Sequence, residues 1–386
     1  MQVTIAATGR FHFVDLAQQL QRLNSLCAYF TAYPTWKINP DHRIDPKKIV
    51  SFPWIHTAYM GSIRKKWLPD FVYREVEIWD RRFFDKKVSQ SLELCDIFTA
   101  ISSCGVTSGS TAKRLGAKYV CDRGSSHILA QDRLLRDEHL RWGIDYQGID
   151  KRIIDRELEE YRNSDLITVP SEFSRKTFVQ EGISQEKIIT IPYGVNLDDF
   201  FPTSEPEPDQ FNVVFVGGAT LRKGLPYLFD AFKQASIKNK RLHLIGHLDP
   251  SLFKSLSNRN LIPDETKIWG HIGHHELRNH LSKADVLVLP SIEDGFGLVM
   301  AQAMACGCPV IATEHTGAAE LIDHGLNGFI IKPGDAKQLK RALESLAFDA
   351  PKQDFRSAAV RKVSNLGGWN DYGDRIASAY QRLLAA

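Results

Sequence analysis

The sequence contains no Cys-x-x-Cys pair, no apolar run long enough to cross a bilayer, and no large excess of charge of either sign. Six cysteines are scattered along 386 residues, which argues against a disulfide framework and predicts reduced thiols in a cytoplasmic protein. The N-terminal "MQVTIAATGRFHF" has no basic segment followed by a long apolar one, so we expect neither an export signal nor a membrane anchor. With 49 basic and 46 acidic residues, the chain has no overall field that would attract nucleic acid.

Two further patterns are missing. Neither "TGRFHF" nor "VGGATLRKG" fits G-x-G-x-x-G, which argues against a nicotinamide-dependent dehydrogenase. The clustered His271, His274 and His275 have no cysteine or acid at metal-ligand spacing, and no group of aspartates suggests a cation site. We therefore expect a protein that needs no metal and no other cofactor.

What the chain does contain is a regular alternation of short β-branched runs and amphipathic helices, which is typical of parallel sheets. The first seven predicted strands are "VTIAA", "CAYFTA", "IVSF", "IFTAIS", "KYVCD", "LITVPS" and "KIITIP"; the next six are "NVVFVG", "RLHLIG", "TKIWGHI", "VLVLPS", "PVIATEH" and "GFIIKP". We predict one long charged helix over about residues 65–94. The proline-rich, acidic "FFPTSEPEPDQF" reads as a linker. The pattern predicts two doubly wound α/β domains, 1–199 and 212–368, joined by residues 200–211 and facing a central cleft.

The turn Gly295-Phe296-Gly297 lies between the strand "VLVLPS" and an apolar helix. A helix that begins in a glycine turn presents free N–H groups and a partial positive charge, a common phosphate site. Alone, the glycines are explained somewhat better by close packing of strand and helix. A second loop, "VGGATLRKG", places Arg222 and Lys223 after another strand of the same sheet. Together the two loops predict a diphosphate site.

Six segments match a known family in the expected order: "VPSEFSRKTF", "IITIPYGVNLDDFFP", "VFVGGATLRKG", "KIWGHIGHHELRNHLSKADVLVLPS", "EDGFGLVMAQAMACGCPVIAT" and "TGAAELI…NGFIIKPGD". Over about residues 166–334 the chain resembles the retaining nucleotide-sugar glycosyltransferases of the GT-B fold, in particular glycosyltransferase family 4, the glycosyl transferases group 1. The resemblance implies two Rossmann-like domains, with a last helix, about residues 369–386, that crosses back onto the first domain. It implies metal-independent transfer of a hexose-type sugar from a nucleoside diphosphate to a hydroxyl acceptor, with retention. Such enzymes serve polysaccharide biosynthesis.

The resemblance also assigns the donor site. Arg222 and Lys223 would bind the diphosphate and neutralise the departing group. The remaining donor-binding residues it implies are Gly218, His271, Ile272, Gly295, Phe296, Gly297 and Leu298, with His271 and Ile272 at the nucleobase.

The family has an acid before the G-F-G turn, for the sugar hydroxyls, and another eight positions later, for the ribose. These positions are Asp294 and Gln302 here. Glu293 is the alternative to Asp294 if the turn is shifted. An amide at Gln302 accepts with one end and donates with the other, so we expect weaker ribose binding; an ordinary helix residue is the alternative.

The acceptor side is predicted from two loops of the first domain. Gly9 and Arg10 follow the first strand, where Gly9 permits either close ligand approach or a close-packing turn. Ser126 and His127 follow "KYVCD", and the resemblance makes His127 a contact of the donor sugar and a catalytic residue beside Asp294, Arg222 and Lys223. A capping or core histidine is the alternative.

Other functions stay open from the sequence alone. A nucleotide-sugar epimerase or phosphorylase, or a non-catalytic nucleotide-sugar binding protein, would use the same donor site. Residues 61–87 interleave basic and aromatic side chains, which fits either a peripheral contact with the inner membrane surface or an ordinary helix with a solvated face.

Overall fold

The computed structural model describes residues 1–40, 43–65, 69–349 and 351–385. These residues form two parallel sheets, of seven and six strands, and each sheet has an apolar core on both faces. The predicted fold class, two doubly wound α/β domains, is confirmed. Each of the thirteen predicted strands lies within two residues of its expected place, because runs of β-branched residues bounded by turns mark buried parallel strands clearly.

The first domain is built on the seven-stranded sheet. Its strands are β1 Val3–Ala7, β2 Leu26–Thr31, β3 Ile49–Ser51, β4 Ile97–Ile101, β5 Lys118–Asp122, β6 Leu166–Val169 and β7 Ile188–Thr190. Its helices are α1 Phe13–Arg22, α2 Thr35–Ile38, α3 Trp54–Lys65, α4 Asp70–Ser91, α5 Val106–Arg114, α6 Ile128–Trp142, α7 Lys151–Asn163 and α8 Glu172–Gln180. The strand order is β3-β2-β1-β4-β5-β6-β7.

The second domain is built on the six-stranded sheet, in the order β10-β9-β8-β11-β12-β13. Its strands are β8 Phe211–Val216, β9 Lys240–Ile245, β10 Thr266–Gly270, β11 Val286–Leu289, β12 Val310–Thr313 and β13 Gly328–Ile331. Its helices are α9 Leu225–Gln234, α10 Pro250–Asn258, α11 His274–Lys283, α12 Leu298–Ala305, α13 Ala318–Leu321, α14 Ala336–Phe348 and α15 Lys352–Leu366.

Strand order reverses between β1 and β4 in the first sheet and between β8 and β11 in the second. Ligands of open α/β sheets bind outside the carboxyl ends of the strands at such a reversal, since the loops on either side diverge there. The loops that follow β1, β4 and β5 face those that follow β8 and β11. The topology thus places the predicted phosphate loops opposite the predicted acceptor loops.

The prediction of one long charged helix over 65–94 was wrong in its bounds. Helix α4 begins at Asp70, because Pro69 has an extended backbone (φ −60°, ψ 151°) and lies at the N-cap. The helix ends at Ser91, and Leu92 is extended.

The chain passes between the domains twice. Residues 201–210 contain no helix or strand and lead into β8. The last helix, α16 Trp369–Ala385, returns to the first domain, where Tyr372, Ile376 and Tyr380 pack in the core with α1. The Tyr380 hydroxyl lies 2.8 Å from Thr99 Oγ1 of β4. The two crossings meet at a bridge between Val195 and Gly368.

Candidate active site

A cleft of about 660 Å³ separates the carboxyl ends of the two sheets. The first domain contributes Thr8, Phe11, His12, Asp15, Arg81, Ile101, Ser102, Arg123, Gly124, Ser125, Gln131, Glu157 and Tyr193; the second contributes Val216, Gly217, Arg222, Lys223, Asp294, Phe296, Gly297, Leu298 and Val299; Trp369 completes the lining. Six of the predicted site residues therefore meet in one cavity: Arg222, Lys223, Asp294, Phe296, Gly297 and Leu298.

Arg222 and Lys223 lie in a short 3₁₀ turn, Leu221–Lys223, ahead of α9. The turn ends in Gly224, whose left-handed backbone (φ 69°) and close approach to the carbonyl of Pro290 require glycine. Ile292 N–H donates to the Arg222 carbonyl over 2.9 Å. The two phosphate loops are thereby joined by their backbones, which fixes the cations relative to the start of α12.

The two cations pair with two consecutive acids. Lys223 Nζ contacts Asp294 Oδ2 at the cleft surface. Arg222 Nε donates to Glu293 Oε2 over 2.7 Å, and Glu293 is fully buried. Asp294 therefore keeps the predicted position at the cavity, and Glu293, the alternative, points away from it. The acid that follows the buried one is the group available to a sugar hydroxyl.

Helix α12 begins beside these charges. Its N-cap Gly297 is left-handed (φ 74°), as the sequence leads one to expect for a glycine turn. Leu298 and Val299 of the first turn line the cleft, and N–H groups of a first helical turn have no acceptor within the helix. The start of α12 therefore offers donors and a partial positive charge next to Lys223.

Gly295 does not line the cleft and instead packs against the first domain. A Cβ built on it would lie 2.0 Å from the carbonyl oxygen of Gly124. Its own carbonyl accepts a hydrogen bond of 2.5 Å from Ser171 Oγ at the start of α8. The predicted phosphate contact of Gly295 is thus replaced by a contact between domains.

Gln302 lines a second cavity, of about 380 Å³, together with Leu298, His274 and Arg10. Leu298 borders both cavities, so Gln302 lies one turn deeper along α12 than the phosphate end of the helix. The other predicted donor residues, Gly218, His271 and Ile272, line neither cavity.

None of the four predicted residues of the first domain, Gly9, Arg10, Ser126 and His127, lines the cleft. His127 is 1% exposed and is the N-cap of α6; its Nδ1 accepts from Leu129 N–H, and its ring packs on Tyr161 and Phe178. Burial lowers its pKa to about 4, so the ring is neutral at pH 7. The structure places the ring away from the cleft lining, so the capping alternative describes its position, and a contact with the donor sugar stays a prediction.

Gly9 and Ser126 also serve packing. A Cβ on Gly9 would meet the ring of Phe11 at 2.3 Å, so its turn is the close-packing alternative. Ser126 is fully buried and donates to Glu293. Arg10 is exposed at the second cavity.

The sequence reasoning missed His12, which lies in the quoted loop "ATGRFHF" but was passed over for Gly9 and Arg10. Its Nε2 lies 2.9 Å from Asp122 Oδ1, and its ring packs on Tyr193 at 4.4 Å. Tyr193 also contacts Phe296 edge to face at 5.3 Å. The signal was available in part: His12 lies two residues beyond the predicted Arg10, and Tyr193 lies in "IITIPYGVN".

A carboxylate of α1 also lines both cavities. Burial raises the pKa of Asp15 to about 6, although His12 and the backbone oppose the shift. With Thr8, Ser102 and Glu157, it gives the first-domain side of the cleft a set of hydrogen-bonding groups suited to a hydroxylated ligand.

The basic and aromatic segment 61–87 is described only in part, because Lys66, Trp67 and Leu68 lie outside the described residues. Within α4, Phe71 and Trp79 are about 70% exposed, and Arg81 pairs with Glu77. No helix in the described part of the chain is long and apolar enough to cross a membrane.

Comparison with known proteins agrees with this geometry. Residues 198–363 match the family model of the glycosyl transferases group 1. Among curated relatives, the chain is 28% identical to an uncharacterized 41.2 kDa protein in the cps region of Klebsiella pneumoniae, over 48% of this chain and 52% of that protein. It is 30% identical to a D-inositol 3-phosphate glycosyltransferase of Pseudarthrobacter chlorophenolicus, over 56% of each. The chain thus spans about half the length of the curated relatives it matches.

Two solved structures show the same fold over the whole chain. Sucrose-phosphate synthase from Thermosynechococcus elongatus superposes with a TM-score of 0.74 at 20% identity, covering 100% of both chains. Anabaena HepE, in complex with UDP-glucose, superposes with a TM-score of 0.70 at 17% identity, covering 99% of this chain and 100% of the other. The resemblance to the group 1 glycosyltransferases is thereby confirmed through residues 198–363, and the chain as a whole has the GT-B fold.

Proposed function

We propose that this protein is a retaining glycosyltransferase that moves a hexose-type sugar from a nucleoside diphosphate to a hydroxyl acceptor. One observation carries the proposal: Arg222, Lys223, Asp294 and the start of α12 converge on one cavity between two doubly wound domains. The family match of residues 198–363 covers the same loops.

Arg222 and Lys223 supply the positive charge that the departing diphosphate needs. As the sugar–phosphate bond breaks, negative charge develops on the diphosphate, and donors fixed in advance at that place lower the barrier most. Arg222 Nε is held by Glu293, and within the described residues its terminal nitrogens donate no hydrogen bond. Lys223 and the first-turn N–H groups of α12 lie beside it. This array does the work that a bound divalent cation does elsewhere, so we propose metal-independent transfer.

Asp294 holds hydroxyls of the donor sugar. It is nine-tenths buried and its partner is Lys223. A carboxylate accepts two hydroxyl hydrogen bonds, and a diphosphate competes for Lys223. Donor binding therefore separates the ion pair and gives each group a ligand partner.

We propose retention by front-face displacement. The bond between the anomeric carbon and the diphosphate oxygen breaks, the acceptor oxygen bonds to the same face of that carbon, and the acceptor proton passes to the departing phosphate oxygen. No other acid or base is then required. The hydroxyl-binding groups around Asp15 and Ser102 hold the acceptor.

The biological setting is proposed from the relatives. One is a protein in a cps region and another is a D-inositol 3-phosphate glycosyltransferase. HepE was solved with UDP-glucose. We propose a sugar nucleotide as donor and a growing glycan as acceptor, with transfer at the inner membrane surface when that glycan is lipid-linked.

The test is a panel of nucleotide sugars scored by thermal shift, since a ligand that binds the native state raises its melting temperature. The stabilising donor is then incubated with and without acceptors, with EDTA present, and the first-formed anomer is identified by proton NMR. We expect a retained anomer, transfer that survives EDTA, and about 10²- to 10³-fold slower transfer by Lys223→Ala. The matched control is Lys254→Ala, an exposed lysine of α10.

Other outcomes would redirect the assignment. An inverted anomer contradicts front-face displacement. Interconversion or phosphorolysis of the donor without acceptor indicates an epimerase or phosphorylase, and donor binding with no turnover indicates a binding protein.

A further inference from the structure

Glu293 is a fully buried carboxylate that the proposed chemistry does not use. It lies in the loop between β11 and α12 of the second domain, yet most of its partners belong to the first domain. Its Oε1 accepts from Ser125 Oγ (2.6 Å), Ser126 Oγ (2.8 Å) and Ser126 N–H (3.1 Å). Its Oε2 accepts from Gln131 Nε2 (3.0 Å) and from Arg222 Nε (2.7 Å).

We propose that the Glu293 bridge, meaning Glu293 with Ser125, Ser126, Gln131 and Arg222, couples closure of the two domains to the orientation of the diphosphate-binding arginine. Glu293 is thus a positioning residue that acts through Arg222. The inference rests on the proposed function for its catalytic consequence, whereas the bridge itself is a property of the ligand-free protein.

The charge balance of the bridge depends on both domains. Burial alone raises the pKa of Glu293, but Arg222 and the hydrogen bonds from Ser125 and Ser126 outweigh it and hold the pKa well below its usual range. A buried carboxylate is stable only while its oxygens have donors. Separation of the domains removes every donor except Arg222, so the anion becomes hydrated and Arg222 loses its fixed environment.

The geometry of Arg222 explains why its orientation matters. Glu293 accepts the hydrogen bond from Arg222 Nε, which fixes the plane of the guanidinium and leaves its two terminal nitrogens without a hydrogen bond to the described residues, in a side chain that lines the cleft. A guanidinium in a fixed plane binds phosphate oxygens with paired hydrogen bonds. Helix α6 of the first domain, which carries Gln131, packs against the turn that carries Arg222. Both ends of the bridge are therefore held by elements that separate when the cleft opens.

Two variants test the two sides of the Glu293 bridge separately. Glu293→Gln keeps an acceptor for the serines but turns an amide N–H₂ toward Arg222 and Gln131, which are themselves donors. Ser125→Ala with Ser126→Ala removes two hydroxyl donors of the first domain and leaves the Arg222 contact. The control is Glu320→Gln, because Glu320 also spans the domains, accepting from Glu172 N–H over 2.5 Å, but does not line the cleft.

Four quantities are measured: kcat, the donor KM, the dissociation constant of UDP or of whichever nucleoside diphosphate binds, and hydrogen exchange of the Ser126 amide with and without that ligand. We expect Glu293→Gln to lower kcat about 100-fold and the double serine variant about tenfold, with dissociation constants changed less than about threefold. Both should speed exchange at Ser126, and Glu320→Gln should change kcat less than about twofold.

The coupling is refuted if the double serine variant keeps wild-type kcat and exchange, because Glu293 would then act within its own domain only. Equal losses in Glu320→Gln also refute it, since any weakened interface would suffice. Failure of the proposed function looks different: wild-type protein would neither bind nor turn over any nucleotide sugar. In that case, hydrogen exchange at Ser126 in the ligand-free variants still tests the bridge. If Glu293→Gln does not fold, the double serine variant supplies the answer.

Discussion

Gly295 of the second domain and Gly124 of the first touch backbone to backbone. A Cβ on Gly295 would lie 2.0 Å from the Gly124 carbonyl oxygen and 2.7 Å from the Cα of Ser125. Real Cβ atoms do not approach a backbone so closely, and neither neighbour is a flexible side-chain end. The absence of a side chain at Gly295 therefore sets how closely the two domains can approach each other.

Gly295→Ala should hold the cleft partly open. Overpacking of a close contact costs about 1–3 kcal/mol, which corresponds to a roughly 5- to 150-fold loss in transfer rate if closure precedes chemistry. Steady-state kinetics and thermal melting check this together. Gly273→Ala is the control, since nothing lies within 4 Å of a Cβ there and its φ is −75°. Wild-type kcat in Gly295→Ala would show that closure at this point is not needed.

Gln302→Ala tests the ribose contact. Gln302 lines the second cavity, one turn beyond the phosphate end of α12. Loss of a neutral hydrogen bond of about 0.5–1.5 kcal/mol should raise the donor KM by about 2- to 10-fold. Gln302→Glu should lower it, because a carboxylate accepts from both ribose hydroxyls. Gln353→Ala, at an exposed position of α15, is the matched control. An unchanged KM in Gln302→Ala removes the residue from the donor site.

His127 should matter for stability rather than catalysis, and its effect depends on pH. Burial lowers its pKa from 6.5 in the unfolded chain to about 4. Between these values the unfolded state binds more protons, so the free energy of unfolding falls as the pH drops from about 6.5 to 4. Urea denaturation at pH 7 and pH 5 should show a smaller decrease for His127→Gln than for wild type.

Part of the decrease in the free energy of unfolding between pH 7 and pH 5 should remain in His127→Gln. Burial also lowers the pKa of His243 to about 4, and its ring lies beside Trp269 and His280. Equal pH slopes for wild type and His127→Gln would contradict the buried, neutral assignment of His127.

His12→Ala should separate transfer from donor binding. His12 lies on the first-domain side of the cleft, between Asp122 and Tyr193. Because we propose that the acceptor binds on that side, loss of the His12 ring should slow transfer about 10- to 100-fold and leave the dissociation constant of the nucleoside diphosphate within about threefold. His247→Ala, an exposed histidine of the second domain, serves as control. An equal rise in the dissociation constant would place His12 at the donor instead.

The strands and the Arg222–Lys223 site could be predicted from the sequence because each depends on local pattern. Buried parallel strands are nearly continuous apolar runs. Once two such runs are neighbours in a parallel sheet, the loops after them must lie together. That reasoning brings Lys223 to Asp294 without any knowledge of side-chain orientation.

The first-domain side could not be predicted in the same way. His12 and His127 both follow strands and both lie at the start of a helix, but only the ring of His12 faces the cleft. The ring of His127 is directed under its helix by Tyr161 and Phe178, which are 34 and 51 residues away in sequence. Tertiary packing decides between them, and no spacing rule encodes it. The same holds for Glu293, whose partners come from the other domain.

The bridge between Val195 and Gly368 has a mechanical consequence. The backbone runs between the domains twice, and both passages are fastened to each other at one point, where a Cβ on Gly194 would lie 2.4 Å from the Gly368 carbonyl oxygen. Two tethers at separate places would restrict the domains to rotation about the line that joins them, whereas one shared point leaves them free to rotate about it in more than one direction. The displacement grows with distance from that point, so a small rotation moves the far side of the cleft most.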